Sequence, residues 1–258
     1  MKKLMKVLSV CALGFGLNAQ AATITVGGVT WDPDFDAGFG VHDFSSELSF
    51  AQWWSSVTTT DNQTIEADNL ADGNVLVPGN GELMGVATFR NFNGNSSTFV
   101  CATCSLNLAF GGLTLDNPSD TVFDTSNSWF KVFASPTSTD PLTAGQYSTV
   151  QSGPIFLSGS FDDFVLTSGS SQNGTSLGFL SVTGGNAFDN FDTTEISNTL
   201  SGGFSDLQIS GTANFGNGLF AQGASLTVTG ETVEVSEPSI FALFGLSLLV
   251  LGARSRRK

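Results

Sequence analysis

Between Ala22 and Ser236 the chain has almost no positive charge: 22 Asp and Glu stand against only Arg90 and Lys131, a formal charge of −20 over 215 residues. The whole-chain figure of −14 conceals this, because the other seven Lys and Arg lie within the first six and the last five residues. So acidic a body repels nucleic acid and anionic lipid and attracts divalent cations, with repulsion screened beyond about 8 Å at physiological ionic strength. Histidine is nearly absent, with His42 alone, and cysteine is scarce, with three in the chain. A structural zinc site needs four ligands, which Cys101, Cys104 and His42 cannot supply. No apolar run is long enough to span a bilayer comfortably: the longest, 240–253, has 14 residues. As a helix it reaches about 21 Å against a hydrocarbon core of about 30 Å.

The missing basic residues are concentrated at the two ends. Lys2, Lys3 and Lys6 precede the apolar stretch Val7 to Leu17, and Ala19-Gln20-Ala21 supplies a small-x-small cleavage pattern, so residues 1–21 read as a secretory signal peptide. Cys11 does not make a lipobox, because Val10 stands where Gly or Ala is needed. At the other end Val235-Ser236-Glu237-Pro238-Ser239 is followed by the apolar run 240–253 and then by Arg254-Ser255-Arg256-Arg257-Lys258. Pro238 suits a helix start, and the basic end would stay cytoplasmic under the positive-inside rule. A buried C-terminal core helix is the alternative, and it explains the basic end less well. Together these parts resemble the PEP-CTERM sorting tail, with Ser236 where that family usually has its first Pro. The resemblance implies processing by an exosortase and transient inner-membrane insertion through 240–253. It also implies delivery to the cell envelope, cell surface or extracellular matrix of a Gram-negative bacterium.

What remains, residues 22–234, reads as one β-rich extracellular domain. Gly, Ser, Thr and Asn are abundant, yet 23 Phe supply a core. Period-2 or fully apolar patterns predict strands at 82–90, 105–110 (Leu106, Leu108 and Phe110 inward), 129–134, 161–167, 177–183, 206–211 and 224–235. Thr23 to Thr30 reads as a first strand containing a bulge or bend at Gly27-Gly28. The best helix candidate is Ser45 to Ser56, with Leu48, Ala51 and Trp54 on one face. The predicted class is all-β, an antiparallel sandwich-like domain, with a β-solenoid as second choice because no strict repeat is present. Residues 135–141 are the one candidate linker. Gly27 to Pro33, Cys101 to Cys104 with Gly111-Gly112 after them, Phe179 to Gly185 and Asn190 to Thr193 look like parts of a recurrent PEP-CTERM ectodomain, which carries no established chemistry.

Cys101 and Cys104 are the only cysteines left after signal removal, and export favours their oxidation. A bridge between them requires the chain to turn there and contributes about 2 kcal/mol in the chain-entropy account. Asp32, Asp34 and Asp36 would share one face of an extended segment, a Ca²⁺ candidate set, although Ala37 and Asp43 break the EF-hand pattern. A solvated acidic loop is the simpler reading. Gly174-Thr175-Ser176-Leu177-Gly178 matches a nucleophile elbow in letters only, since a turn precedes it and a strand follows. His42 precedes Ser176, against hydrolase order, and reads as an ordinary partly exposed residue. Trp53 and Trp54 are candidates for stacking on sugar rings, because neighbours on an element cannot both face one core. No carboxylate pair is singled out for glycoside hydrolysis.

These observations predict a non-enzymatic exported surface or matrix protein associated with exopolysaccharide, as in biofilm or flocculation. A secreted carbohydrate-active hydrolase or a calcium-dependent carbohydrate-binding module is the alternative.

Overall fold

The computed structural model describes residues 23–33, 35, 42–56, 75–94, 99–136, 150–214, 220–222 and 226–233. The signal peptide, the sorting tail with its apolar run, and most of the candidate linker lie outside these residues. The described part is all-β and antiparallel, as the alternation predicted.

Eight strands carry the architecture: β3 (Phe44–Ser55), β5 (Glu82–Arg90), β7 (Ser105–Thr114), β8 (Trp129–Ser135), β9 (Ile155–Gly169), β10 (Asn173–Gly184), β13 (Leu207–Asn214) and β15 (Leu226–Gly230). Each pairs with the next in this order, and β15 pairs back onto β3, so the sheet closes into a ring. Closure removes the free edges that an open sandwich would leave. Strand β3 makes it possible by its length. One side runs along β5, and the other takes β15 at residues 44–48, β14 (Phe220–Gln222) at 51–53 and β4 (Val75–Leu76) at 54–55.

Residues 44–55 are therefore a strand, not the helix expected there. The helix-like spacing of Leu48, Ala51 and Trp54 arises because both faces of β3 are covered. Leu48, Phe50 and Trp54 point into the barrel, while Ala51 and Trp53 join Met84, Val86, Ala109, Trp129, Phe133 and Val150 in a second cluster. Burial on both sides erases the polar beats by which a half-exposed strand is recognised.

One barrel end is plugged by aromatic rings. The small sheet of β1 (Ile24–Val26), β2 (Val29–Trp31) and β6 (Phe99–Cys101) places Trp31 and Phe99 there, and helix α1 (Phe188–Phe191) adds Phe191. Trp31 and Phe99 stack at 6.0 Å between centroids, Phe191 lies 5.3 Å from Trp31, and Phe44 lies 5.6 Å from Phe191. Gly27 and Gly28, at φ 59° and 86°, form the turn of a β1–β2 hairpin rather than a bulge within one strand. Cys101 and Cys104 are bridged, with Cα atoms 5.2 Å apart, across a bend between β6 and β7. The bridge thus ties the plug sheet to the barrel wall.

Outside the barrel, the hairpin of β11 (Ile196–Ser197) and β12 (Phe204–Ser205) is held to β9 by two consecutive aspartates. Asp162 accepts from Ser181 and Ser205, and Asp163 from Asn198 and Ser201. A bulge at this point, between the pairs Leu180–Phe161 and Phe179–Asp163, leaves Asp162 without a ladder partner, so adjacent residues can serve one surface.

Candidate functional site

A group of titratable side chains lies where the barrel closes. The last ladder pair between β3 and β15 is Phe44–Gly230. Just beyond it, residues 42–43 and 231–232 brace each other across 188 to 189 positions of sequence. His42 Nδ1 lies 2.8 Å from Glu231 Oε1. The Asp43 backbone N–H donates to Glu231 Oε2 at 3.2 Å. In return the Thr232 N–H and hydroxyl donate to Asp43 Oδ2 at 2.6 and 3.0 Å.

Burial pushes the Asp43 carboxyl up to about 6, against the two Thr232 donors that pull it down, and the neighbouring Glu231 carboxylate adds to the rise. His42 and Glu231 also border an open groove of about 400 Å³, whose other walls are Glu195, Ile196, Ser197 and Gln208. This set suits hydrogen bonding to hydroxyl-rich or cationic groups. Asp43 is not among the residues that line it.

A second open hollow, of about 540 Å³, lies by the loop between β7 and β8 and is lined by Asp116, Asp120 and Asp124 with Ser119, Thr121, Val122 and Phe123. The Ser126 N–H and hydroxyl hold the Asp124 carboxyl below its usual range. Among the described residues no group of three His, Cys, Asp or Glu is placed to hold a metal ion.

Of the residues singled out in the sequence, the structure brings Cys101 and Cys104 together, as a bridge. Val235, Glu237 and Pro238 lie outside the described residues, as do Asp34 and Asp36. The Phe35 N–H donates to the Asp32 carbonyl at 3.3 Å, so the chain turns at Asp32 instead of running extended. Trp53 is 0% and Trp54 1% exposed, and neither offers a ring face to a sugar. The two do face different ways, as adjacent strand residues must, but each meets its own core, and Trp54 stacks on Phe123 at 5.8 Å. Ser176 sits within β10, paired with Leu166 and Gly211, with no elbow geometry.

Sequence reasoning passed over Asp43, Glu195 and Glu231 and gave His42 no role. The one usable signal was the singularity of His42; its partners become neighbours only when the ring closes. No family model, curated protein or solved structure matches this chain.

Proposed function

We propose that this chain is an exported surface protein whose acidic barrel serves as a structural or adhesive component of an exopolysaccharide matrix, sorted by a PEP-CTERM-like tail that an exosortase processes. The observation that carries the reading is the ordered tail itself: Glu237-Pro238, the apolar run 240–253 and the basic end 254–258. The −20 charge of residues 22–236 agrees with it, since an acidic body stays soluble and unattached unless divalent cations bridge it to acidic polysaccharide. The Cys101–Cys104 bridge suits an oxidising compartment. With Trp53 and Trp54 buried, contact with carbohydrate falls to polar surface such as the groove beside His42.

Mass spectrometry of envelope and medium fractions tests the sorting step. Mature protein is expected to lack 254–258, and an intact C-terminus on all exported protein would sink the reading. A hydrolase remains the second reading, favoured by Glu195 and Glu231 facing one groove with His42. Incubation of the mature protein with the producer's exopolysaccharide separates the two. Retention without release of reducing ends supports the matrix role. Release abolished by Glu195→Gln or Glu231→Gln would establish the hydrolase instead.

A further inference from the structure

We infer that the closing seam of the barrel is a proton-operated clasp, tight in mild acid and loosened at neutral to alkaline pH. The geometry places three titratable groups within hydrogen-bonding reach of one another or of one another's backbone: His42, Asp43 and Glu231. They lie where the β3–β15 ladder ends, the step that converts an open sheet into a ring. The inference is independent of the proposed function, since it concerns only the fold.

The charge states set the direction. With one proton on Asp43 and one on the imidazole, the cluster holds a neutral acid, an imidazolium and the Glu231 carboxylate, and its charges cancel. The imidazolium then donates to Glu231 through Nδ1, and the protonated Asp43 carboxyl has a proton to offer the same carboxylate. With the Asp43 proton gone, two carboxylates face each other in a half-buried seam. The carboxylate state keeps the Thr232 donors on Asp43 but gains the repulsion of Glu231. Among the described residues, the groups that face the cluster from the packed elements are these. Asn93, which contacts the Asp43 carbonyl at 3.4 Å from the turn after β5, is neutral. Asn190 of α1, which donates to the Val233 carbonyl at 3.0 Å, is neutral as well. Asp189 and Asp192 of the α1 region are exposed, and Glu195 across the groove is a further negative charge.

The sign follows from the raised carboxyl. Because Asp43 holds its proton more tightly in the folded chain than in the unfolded one, its contribution to stability is full in acid and is lost as pH rises from about 4 through about 6. Most surface carboxylates are already ionised at pH 5, so the change between pH 5 and 7.5 reports on the raised carboxyls, Asp43 and Asp206, and the Asp43 and Glu231 variants separate the seam from Asp206.

Hydrogen exchange of the full mature protein at pH 5 and 7.5, corrected for intrinsic rates, tests the clasp. Peptides covering 44–48 and 226–230 are expected to lose protection at pH 7.5 by about tenfold, the equivalent of one pKa unit, while 129–135 holds. Asp43→Asn mimics the protonated carboxyl: it can still accept from Thr232 and can donate to Glu231. Its seam is expected to keep acid-like protection at both pH values. Glu231→Gln removes the facing charge and serves as the second variant, with the same flattening expected. Equal seam protection at both pH values in the wild-type chain would overturn the inference, as would a pH response in both variants as large as in wild type.

Discussion

Asp206 shows how much one side chain can hold in this fold. It is 1% exposed and accepts three backbone N–H groups, from Val182 at 2.6 Å, Thr193 at 3.0 Å and Thr194 at 2.7 Å. Thr194 is thereby kept at φ 50°, a region that a β-branched residue enters only when its surroundings compel it. The carboxyl nonetheless lies above its usual range, because burial outweighs the three donors and Asp192 adds a like charge. A group raised in this way favours the fold most at low pH, and that share of stability falls away as pH climbs from about 4 through the raised value. Asp206→Ala strands three donors, one buried and two part-buried, and is expected to destabilise by about 2–4 kcal/mol in urea denaturation. Asp206→Asn keeps an acceptor oxygen and should cost less. A loss below about 0.5 kcal/mol for the alanine variant would show that water or main chain takes over the donors.

At the scale of strands, the abundance of Phe and Gly turns out to be one feature. Four cross-strand pairs on the ring are Phe opposite Gly: Phe44–Gly230, Phe110–Gly85, Phe130–Gly159 and Phe164–Gly178. A Cβ added at any of these glycines would meet its partner's ring at 2.7 to 2.8 Å. Each ring therefore covers its glycine, filling the interior while the bare backbone gives the sheet room to curve. Gly178→Ala is expected to cost about 1–3 kcal/mol by overpacking, since the added carbon meets Phe164 at 2.7 Å and Ile209 at 2.9 Å. Combining it with Phe164→Leu should recover at least about 0.5 kcal/mol relative to additivity in a double-mutant cycle, and strict additivity would argue against the pairing. None of this was legible in the sequence, because it depends on register. What was legible were strands whose inward beat survives, such as Leu106, Leu108 and Phe110 of β7, and the bounds of β5 at Glu82 and Arg90. The beat failed at β3, where two cores cover the two faces. Closure failed for another reason: residues 44–48 find 226–230 only through long-range pairing, so the seam acids stayed scattered letters.

Over the whole molecule, the largest unbalanced quantity is charge. The two basic residues of the body sit on β5 and β8, so its 22 carboxylates go almost unneutralised, and the seam of the ring already sets Asp43 against Glu231. Repulsion of this kind opposes compactness and is weakened by any salt that shortens the screening length. The melting midpoint is therefore expected to rise between 10 and 150 mM NaCl, by about 2–4 °C if screening recovers about 1 kcal/mol. Divalent ions allow a sharper distinction. If they act only as a diffuse atmosphere, Ca²⁺ and Mg²⁺ at matched ionic strength should raise the midpoint equally and without saturation. A discrete site predicts instead a saturable Ca²⁺ effect exceeding that of Mg²⁺, because calcium accepts irregular oxygen sets that magnesium does not. Asp32 is the first position to examine in that case: Asp32→Asn should then abolish the Ca²⁺ excess and leave the NaCl response intact. Since the chain turns at Asp32, such a site would have to gather its oxygens from the turn rather than from one face of a strand. A Ca²⁺ excess that survives Asp32→Asn would move the search to the hollow of Asp116, Asp120 and Asp124.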